Sequence, residues 1–302
     1  MSKLCTLCPR NCSADRAKGE GFCASPSLPT VTRASLHMWE EPCITLERGS
    51  GTVFFAGCQL RCVFCQNSVI SKSGEVGITM DGKDLAKLFL IQQERGAHNI
   101  NLVTPSHYVN TVAEAIDISK AEGLSIPVVW NSSAYEKAET LKLLKDRVDI
   151  WLPDYKYASS YLAKRYSKAE DYPVAARQAI DEMVSQQPEC VFAEDGALLK
   201  GVIVRILLLP GAVDDAKERV KYIFDRYGEK VYFSLMSQYT PHGDLSSYPE
   251  LCRTVTGEEY DELIDFAVDL GITQGFTQEL GAAEESFIPS FQCEGLEDFL
   301  GK

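Results

Sequence analysis

Three cysteines in one short loop are the residues of this sequence best suited to chemistry. Cys58, Cys62 and Cys65 form a C-x3-C-x2-C pattern directly after an apolar run. Three thiolates at this spacing can hold a [4Fe–4S] cluster and leave its fourth iron open to another ligand. A structural zinc ion requires four closed ligands, and this loop offers three. The pattern therefore predicts an iron–sulfur cluster with one open iron.

A second group of cysteines lies near the N-terminus. Cys5, Cys8, Cys12 and Cys23 form a C-x2-C-x3-C-x10-C pattern. In a long chain without an export signal, such groups more often bind metal than form disulfides. Four thiolates suit zinc and an auxiliary iron–sulfur cluster equally well. The spacing predicts a second metal site and leaves the metal open.

Charge and hydropathy exclude some partners. The formal net charge is −13, and an acidic surface repels phosphate, so we expect no nucleic-acid partner. The longest apolar run, residues 202–210, is interrupted by Arg205 and is too short to cross a bilayer. The first ten residues lack the pattern of a signal peptide. We therefore expect a cytoplasmic protein with no membrane partner.

Alternating strand and helix patterns must position these cysteines. Helix-period stretches separate six apolar runs rich in β-branched residues, and one helix opens with the capping-box pair Thr256 and Glu259. Such alternation predicts parallel strands joined by right-handed crossovers. Periodicity alone fits both a partial barrel and an open doubly wound sheet. The predicted strands cover residues 52–56, 99–103, 127–130, 148–152, 202–209 and 231–236.

The cysteine loop, with Phe64 before its third cysteine, resembles the signature of radical S-adenosylmethionine (SAM) enzymes. The resemblance implies a partial (β/α)6, TIM-like barrel, and six predicted strands agree with that fold. We therefore predict three regions: a cysteine-rich, metal-binding and irregular segment over residues 1–50, the barrel over 51–285, and a C-terminal tail over 286–302. The resemblance also implies that SAM binds the open iron through its amino and carboxylate groups. An electron from the cluster then cleaves SAM to a 5′-deoxyadenosyl radical, which abstracts hydrogen from a substrate.

Most of residues 1–285 is similar to one branch of these enzymes, the proteins that resemble pyruvate formate-lyase activating enzyme. The similarity implies a reductant such as flavodoxin or ferredoxin as a partner. It implies as substrate either a glycine of a partner glycyl radical enzyme or a small molecule or peptide. A non-catalytic scaffold or electron-transfer protein is the alternative, and the missing fourth cysteine argues against it. Besides the cysteine loop, the landmarks are residues 5–10, 37–42, 99–105, 154–156, Arg205 with 210–211, and 236–239.

The resemblance also implies contacts to SAM at the ends of strands. The family's Gly-Gly-Glu-Pro-like turn reads Val-Thr-Pro-Ser at residues 103–106, where the Thr104 hydroxyl and backbone carbonyls can accept hydrogen bonds from the SAM ammonium. Asp154 and Lys156 match an Asp-x-Lys pair, with the carboxylate suited to the ribose and the ammonium to the SAM carboxylate. A buried ion pair that closes the barrel mouth is the alternative.

Two further polar positions are candidate ligand contacts. Asn131 ends a strand, where it suits ribose or adenine, or else caps a turn. Arg205 interrupts an apolar strand and needs an anion, either a ligand carboxylate or a neighbouring acidic side chain. Glu40 and Glu41 lie between the N-terminal cysteines and the barrel, where we expect a solvated acidic turn.

Overall fold

The computed structural model describes residues 4–18, 21–73, 76–278 and 291–300. Within these residues ten strands form one sheet. The strands are β1 (Thr30–His37), β2 (Ser50–Phe55), β3 (Ile78–Thr79), β4 (Ile100–Val103), β5 (Val128–Ser132), β6 (Ile150–Pro153), β7 (Val191–Phe192), β8 (Leu198–Leu207), β9 (Tyr232–Met236) and β10 (Gly275–Thr277).

The centre of the sheet is parallel and winds in one direction. Its order is β2-β4-β5-β6-β8-β9-β10, and every neighbouring pair in this run is parallel. A doubly wound sheet would reverse its strand order at a switch point, and this order does not reverse. The prediction of a partial, TIM-like barrel is confirmed. The sheet is not closed among the described residues, because β1 and β3 extend one end antiparallel and β10 forms the other.

Helices connect the successive strands of this sheet. The Thr256 and Glu259 capping box is present at the start of the last helix, as the sequence predicts. The helices are α1 (Pro42–Thr45), α2 (Ser68–Ser71), α3 (Gly82–Glu94), α4 (Val109–Ala121), α5 (Ala138–Leu141), α6 (Ser160–Ser167), α7 (Tyr172–Gln186), α8 (Val213–Tyr227) and α9 (Gly257–Asp269). No helix among the described residues is long and apolar enough to span a membrane.

The strand predictions need two corrections. All six predicted strands are present, but β10 is an additional parallel strand that three half-exposed residues did not reveal. The irregular segment that we predicted over residues 1–50 is irregular only before Thr30, because β1 pairs antiparallel with β2 and α1 follows it. Of the predicted tail, residues 291–300 are described; Cys293 there donates its backbone N–H to the Thr32 carbonyl of β1.

The barrel interior is apolar at one end and polar at the other. A small core of buried side chains fills the amino end: Cys43, Ile44, Val129, Ile150, Leu152, Leu198 and Ile203. Because α1 supplies two of these residues, the chain between β1 and β2 enters the barrel and forms its floor. Residues at the carboxyl ends of the strands lie above this floor and line a cavity.

Candidate functional site

The candidate site is a cavity of about 470 Å³ at the carboxyl ends of the parallel strands. The cysteine loop after β2 forms one wall, and Cys58, Cys62 and Cys65 all line it. Every candidate SAM contact from the sequence lines the same cavity: Thr104, Asn131, Asp154, Lys156 and Arg205. None of the four N-terminal cysteines is among its lining residues.

The cysteine loop brings three thiols close together. Burial, followed by the neighbouring Cys62 thiol, raises the pKa of Cys58 to about 12. The Leu60 backbone N–H lies 3.3 Å from the Cys58 sulfur and donates to it, a contact that would also stabilise a thiolate ligand. No described group of three or more His, Cys, Asp or Glu side chains is arranged to hold a single metal ion. A cubane does not need such a group, because each thiolate binds a different iron.

A chain of hydroxyl groups lies behind the second cysteine of the loop. The Ser167 hydroxyl at the end of α6 donates to the Cys62 sulfur over 3.1 Å, and the Tyr157 hydroxyl lies 2.7 Å from the Ser167 oxygen. All three side chains are buried. Since the Ser167 proton points to sulfur, the Tyr157 proton points to Ser167. The Cys62 sulfur is therefore contacted from behind the loop by a buried hydrogen-bond donor and not by water.

The four N-terminal thiols also lie close to one another. Burial raises the pKa of Cys8 to about 11, the Arg10 backbone N–H opposes this rise, and the Cys23, Cys5 and Cys12 thiols add to it. A Cβ atom built on Gly21 would lie 3.4 Å from the Cys23 sulfur and 4.0 Å from the Cys12 sulfur. Both sulfurs therefore face the same small space beside the Gly21 backbone.

The N-terminal segment is packed directly onto the cysteine loop. The Cys58 backbone N–H donates to the Cys23 carbonyl over 3.3 Å. Gly57 has a left-handed φ of +81°, and a Cβ there would lie 1.9 Å from the Ser25 hydroxyl oxygen. The Arg10 guanidinium donates to the Gln59 carbonyl over 2.9 Å and to the Ser167 carbonyl over 2.7 Å. The two groups of cysteines are thus neighbours, joined through backbone contacts.

Opposite the cysteine loop, Arg205 organises the polar side of the cavity. Its guanidinium donates to the Asp154 carboxylate over 2.7 Å, to the Glu40 carboxylate over 3.0 Å and to the side-chain amide oxygen of Asn131 over 2.5 Å. The anion that the sequence requires for Arg205 is therefore present as neighbouring acidic side chains. Although burial raises the pKa of Asp154, Arg205 and then Lys156 hold it below its usual value. Asp154 is thus an anion shared by two cations.

Lys156 and Thr104 complete the side of the cavity near the cysteines. The Lys156 ammonium pairs with Asp154 over 2.9 Å. Burial lowers the pKa of Lys156, but Asp154 and then Cys62 outweigh burial and raise it above its usual value. Thr104 has a φ of +60°, a left-handed conformation that a β-branched residue seldom adopts. Its backbone N–H donates to the Asn131 carbonyl over 2.9 Å. The turn therefore keeps a conformation suited to glycine although threonine occupies it.

Glu40 and Glu41 do not form the solvated acidic turn that we predicted. The Glu40 side chain is 10% exposed and Glu41 is 7% exposed, and both line the cavity. Burial raises the pKa of both carboxyls, and Arg205 opposes the rise in each. The prediction is wrong because β1 and α1 carry this segment into the barrel, and a local count of charges does not reveal such a path. The sequence contained one indication that these acids belong to the site: both lie in the landmark at residues 37–42.

Two glutamines after strand ends also belong to the cavity: Gln238, part of the landmark at residues 236–239, and Gln278, which the sequence analysis did not select. Gln278 follows β10 and donates to the Gln238 side chain over 3.0 Å. The Gln66 side chain donates to the Gln238 backbone carbonyl over 3.2 Å. These contacts tie the cysteine loop to the last strands of the barrel. Gln238 and Gln278 each follow a strand end, and the missed strand β10 concealed the second of them.

Comparison of the sequence with known proteins identifies one relative, and comparison of the structure identifies the fold. The chain matches no protein-family model. It is 28% identical over 273 residues to an uncharacterized protein of Methanocaldococcus jannaschii, a match that covers 88% of this chain and 74% of that protein.

The structural comparisons involve radical SAM enzymes of low sequence identity. A radical SAM methyltransferase from Sphaerobacter thermophilus superimposes with a TM-score of 0.52 at 15% identity, over 76% of this chain and 66% of that one. Streptococcus suis SuiB bound to S-adenosylmethionine gives 0.51 at 14% identity, over 75% of this chain and 49% of that one. The chain thus spans about half to two thirds of the length of these structures. The resemblance that the sequence indicated is confirmed at the level of architecture: the chain has the fold of the radical SAM enzymes.

Proposed function

We propose that this protein is a radical SAM enzyme whose cluster binds to Cys58, Cys62 and Cys65. One observation carries the proposal: these three thiols line one side of the same cavity as the polar residues at the strand ends. A cluster held by three thiolates has one open iron, and here the cavity is where a ligand of that iron would lie. When bound, the cluster supplies the electron that cleaves SAM to methionine and a 5′-deoxyadenosyl radical, which takes hydrogen from the substrate.

The residues of the cavity suit the polar groups of SAM. In this proposal Lys156, next to Cys62 and Asp154, contacts the SAM carboxylate. Asp154 accepts a hydrogen bond from the ribose, and Asn131 contacts the ribose or the adenine. Thr104 presents its hydroxyl and the backbone of a left-handed turn to the ammonium. Arg205 acts on SAM indirectly, because its guanidinium already contacts three protein side chains and holds Asp154 and Asn131 in place.

We also propose that Cys5, Cys8, Cys12 and Cys23 bind a second metal, either zinc or an auxiliary iron–sulfur cluster. The Cys12 and Cys23 sulfurs face one space beside Gly21, which supports a shared site. The four thiols are not arranged around a single ion in the described structure, so zinc would require them to move closer together. The contact between Cys23 and Cys58 favours iron–sulfur slightly, because a cluster there would be adjacent to the first and could pass electrons to it. A reductant such as flavodoxin or ferredoxin would supply those electrons.

Anaerobic reconstitution tests the proposed function. The protein is loaded with iron and sulfide, mixed with SAM and dithionite, and assayed for 5′-deoxyadenosine. We expect a cluster that needs all three loop cysteines and SAM cleavage that needs the cluster. A protein that holds the cluster but releases no 5′-deoxyadenosine would favour the electron-transfer alternative.

A further inference from the structure

The cavity contains one more acidic group than its basic groups can neutralise. Glu40, Glu41 and Asp154 line it, whereas Lys156 and Arg205 are its only lysine and arginine among the described residues. His37 also lines the cavity, and burial lowers its pKa, which favours the neutral ring. The internal segments that the structure does not describe, residues 19–20, 74–75 and 279–290, contain no Lys, Arg or His. One carboxyl group is therefore in surplus.

The carboxyl group without a basic partner is that of Glu41. Arg205 donates to Glu40 and Asp154, and Lys156 pairs with Asp154. Among the described residues Glu41 has no ion pair within 4.0 Å; its side chain forms a hydrogen bond with Ser234, but its Oε2 atom is buried without a hydrogen-bond partner. A buried carboxylate with one unsatisfied oxygen and no cation in direct contact is costly, so such a group either stays protonated or meets a cation from a ligand. The Ser133 hydroxyl, also buried in the cavity lining, has no hydrogen-bond partner within the described part of the chain.

The position of Glu41 separates it from the cysteine loop. Lys156 lies beside Cys62 and Asp154, Asp154 lies beside Arg205, and Arg205 lies beside Glu40 and Glu41. The Glu41 carboxyl in turn acts on the Cys43 thiol, which belongs to the apolar floor. This order of neighbours runs from the loop to the floor, with Glu41 at the end away from the loop.

We propose that Glu41 binds the cationic group of the substrate, an amine or guanidinium carried on an apolar stem. This inference rests on the proposed function and names its substrate class. The two cofactors would not neutralise the surplus, because a cluster with three thiolates carries about one net negative charge and SAM about one positive charge. Pro42, Phe54, Leu207, Met236 and Phe276 line the same cavity and offer apolar contacts to the stem.

The test uses three probes of equal length: n-butylammonium, n-butanol and butyrate. Their binding to the protein loaded with cluster and SAM is measured by ligand-observed NMR. We expect the ammonium to bind, the alcohol to bind at least about tenfold more weakly and the butyrate not to bind. Glu41→Gln should remove the preference for the ammonium, whereas Glu194→Gln, the same change at an exposed turn, should keep it.

The outcomes separate this inference from its rivals. The inference is overturned if the wild-type protein binds alcohol as well as ammonium, a result that needs no variant and would indicate a protonated Glu41. It is also overturned if the preference survives in Glu41→Gln, or if the ammonium binds only when SAM is absent. The last result would assign Glu41 to the SAM ammonium. Release of 5′-deoxyadenosine by the same wild-type preparation tests the proposed function separately.

Discussion

The two groups of cysteines differ in what surrounds them. The loop with Cys58, Cys62 and Cys65 follows β2, the first strand of the parallel run, lines a cavity and is backed by buried aromatic side chains. The N-terminal group lies outside that cavity, and its Cys12 is exposed. In the proposed assignment, three ligands facing a cavity leave one iron open to SAM, whereas four ligands would close the N-terminal site. In this molecule the group of three cysteines is the one that lines a cavity, and the group of four lies outside it.

The largest effect is expected at the central loop. Changing Cys58, Cys62 or Cys65 singly to Ala should abolish SAM cleavage, because two thiolates do not hold a cubane with an open site. Cys252→Ala, an exposed cysteine outside both groups, is the control and should cleave SAM normally. The readouts are 5′-deoxyadenosine and the visible absorption of the cluster. Wild-type cleavage in any of the three variants would contradict the assignment.

The N-terminal group is isolated by replacing the three loop cysteines together. Anaerobically purified protein of this triple variant should retain one metal load. Iron with sulfide and a visible band would indicate an auxiliary cluster, and one colourless zinc would indicate a structural site. Because this segment has few apolar residues, removing its metal should lower the free energy of unfolding by roughly several kcal/mol. Four freely titratable thiols in folded protein, with neither metal bound, would contradict the proposal that the N-terminal cysteines bind a metal.

A change on the cavity side opposite the loop should weaken SAM binding and spare the cluster. Asp154→Ala removes a charged hydrogen-bond acceptor, worth about 1.5–3 kcal/mol, so SAM affinity should fall roughly ten- to a hundredfold. Asp261→Ala, an exposed residue of α9, serves as the control. Equilibrium binding of SAM and the melting temperature are measured together. Unchanged affinity with a lower melting temperature would instead identify Asp154 as part of a structural ion pair.

Gly57 tests how the two groups are held against each other. Gly57→Ala adds a Cβ that would meet the Ser25 hydroxyl at 1.9 Å in a left-handed backbone. We expect a loss of about 1–3 kcal/mol in the free energy of unfolding and easier proteolysis before Thr30. Gly96→Ala has a similar φ of +90° with nothing within 4 Å of its Cβ, so it measures the backbone cost alone. Equal losses in the two variants would show that the packing against Ser25 contributes nothing.

The smallest effect concerns the environment of one thiol. Ser167→Ala removes the hydroxyl that donates to the Cys62 sulfur, and such donors favour the more negative, reduced cluster. A hydrogen bond of about 1 kcal/mol corresponds to about 40 mV for one electron, so the reduction potential should fall by that amount. Ser160→Ala, exposed on the same helix, is the control. Potentiometry followed by EPR measures the shift, and a higher potential in Ser167→Ala would contradict it.

The sequence by itself determined the order of strands and helices and the two groups of cysteines. The six strands were readable because each is a buried apolar run, and the Thr256 capping box was readable because its partners are three residues apart. The cysteine loop was readable for the same reason, since its three thiols are held by local spacing.

The tertiary structure alone decided which distant residues meet. Glu40 and Asp154 are more than a hundred positions apart, and they share one guanidinium only because β1 and α1 carry Glu40 into the barrel. The strand β10 is three residues long, too short for a periodic signal, yet it places Gln278 in the cavity. Likewise, Ser167 reaches Cys62 through the packing of α6 on the loop. Local spacing specifies ligands within one loop, whereas the charge balance and the depth of a cavity depend on how separate elements pack.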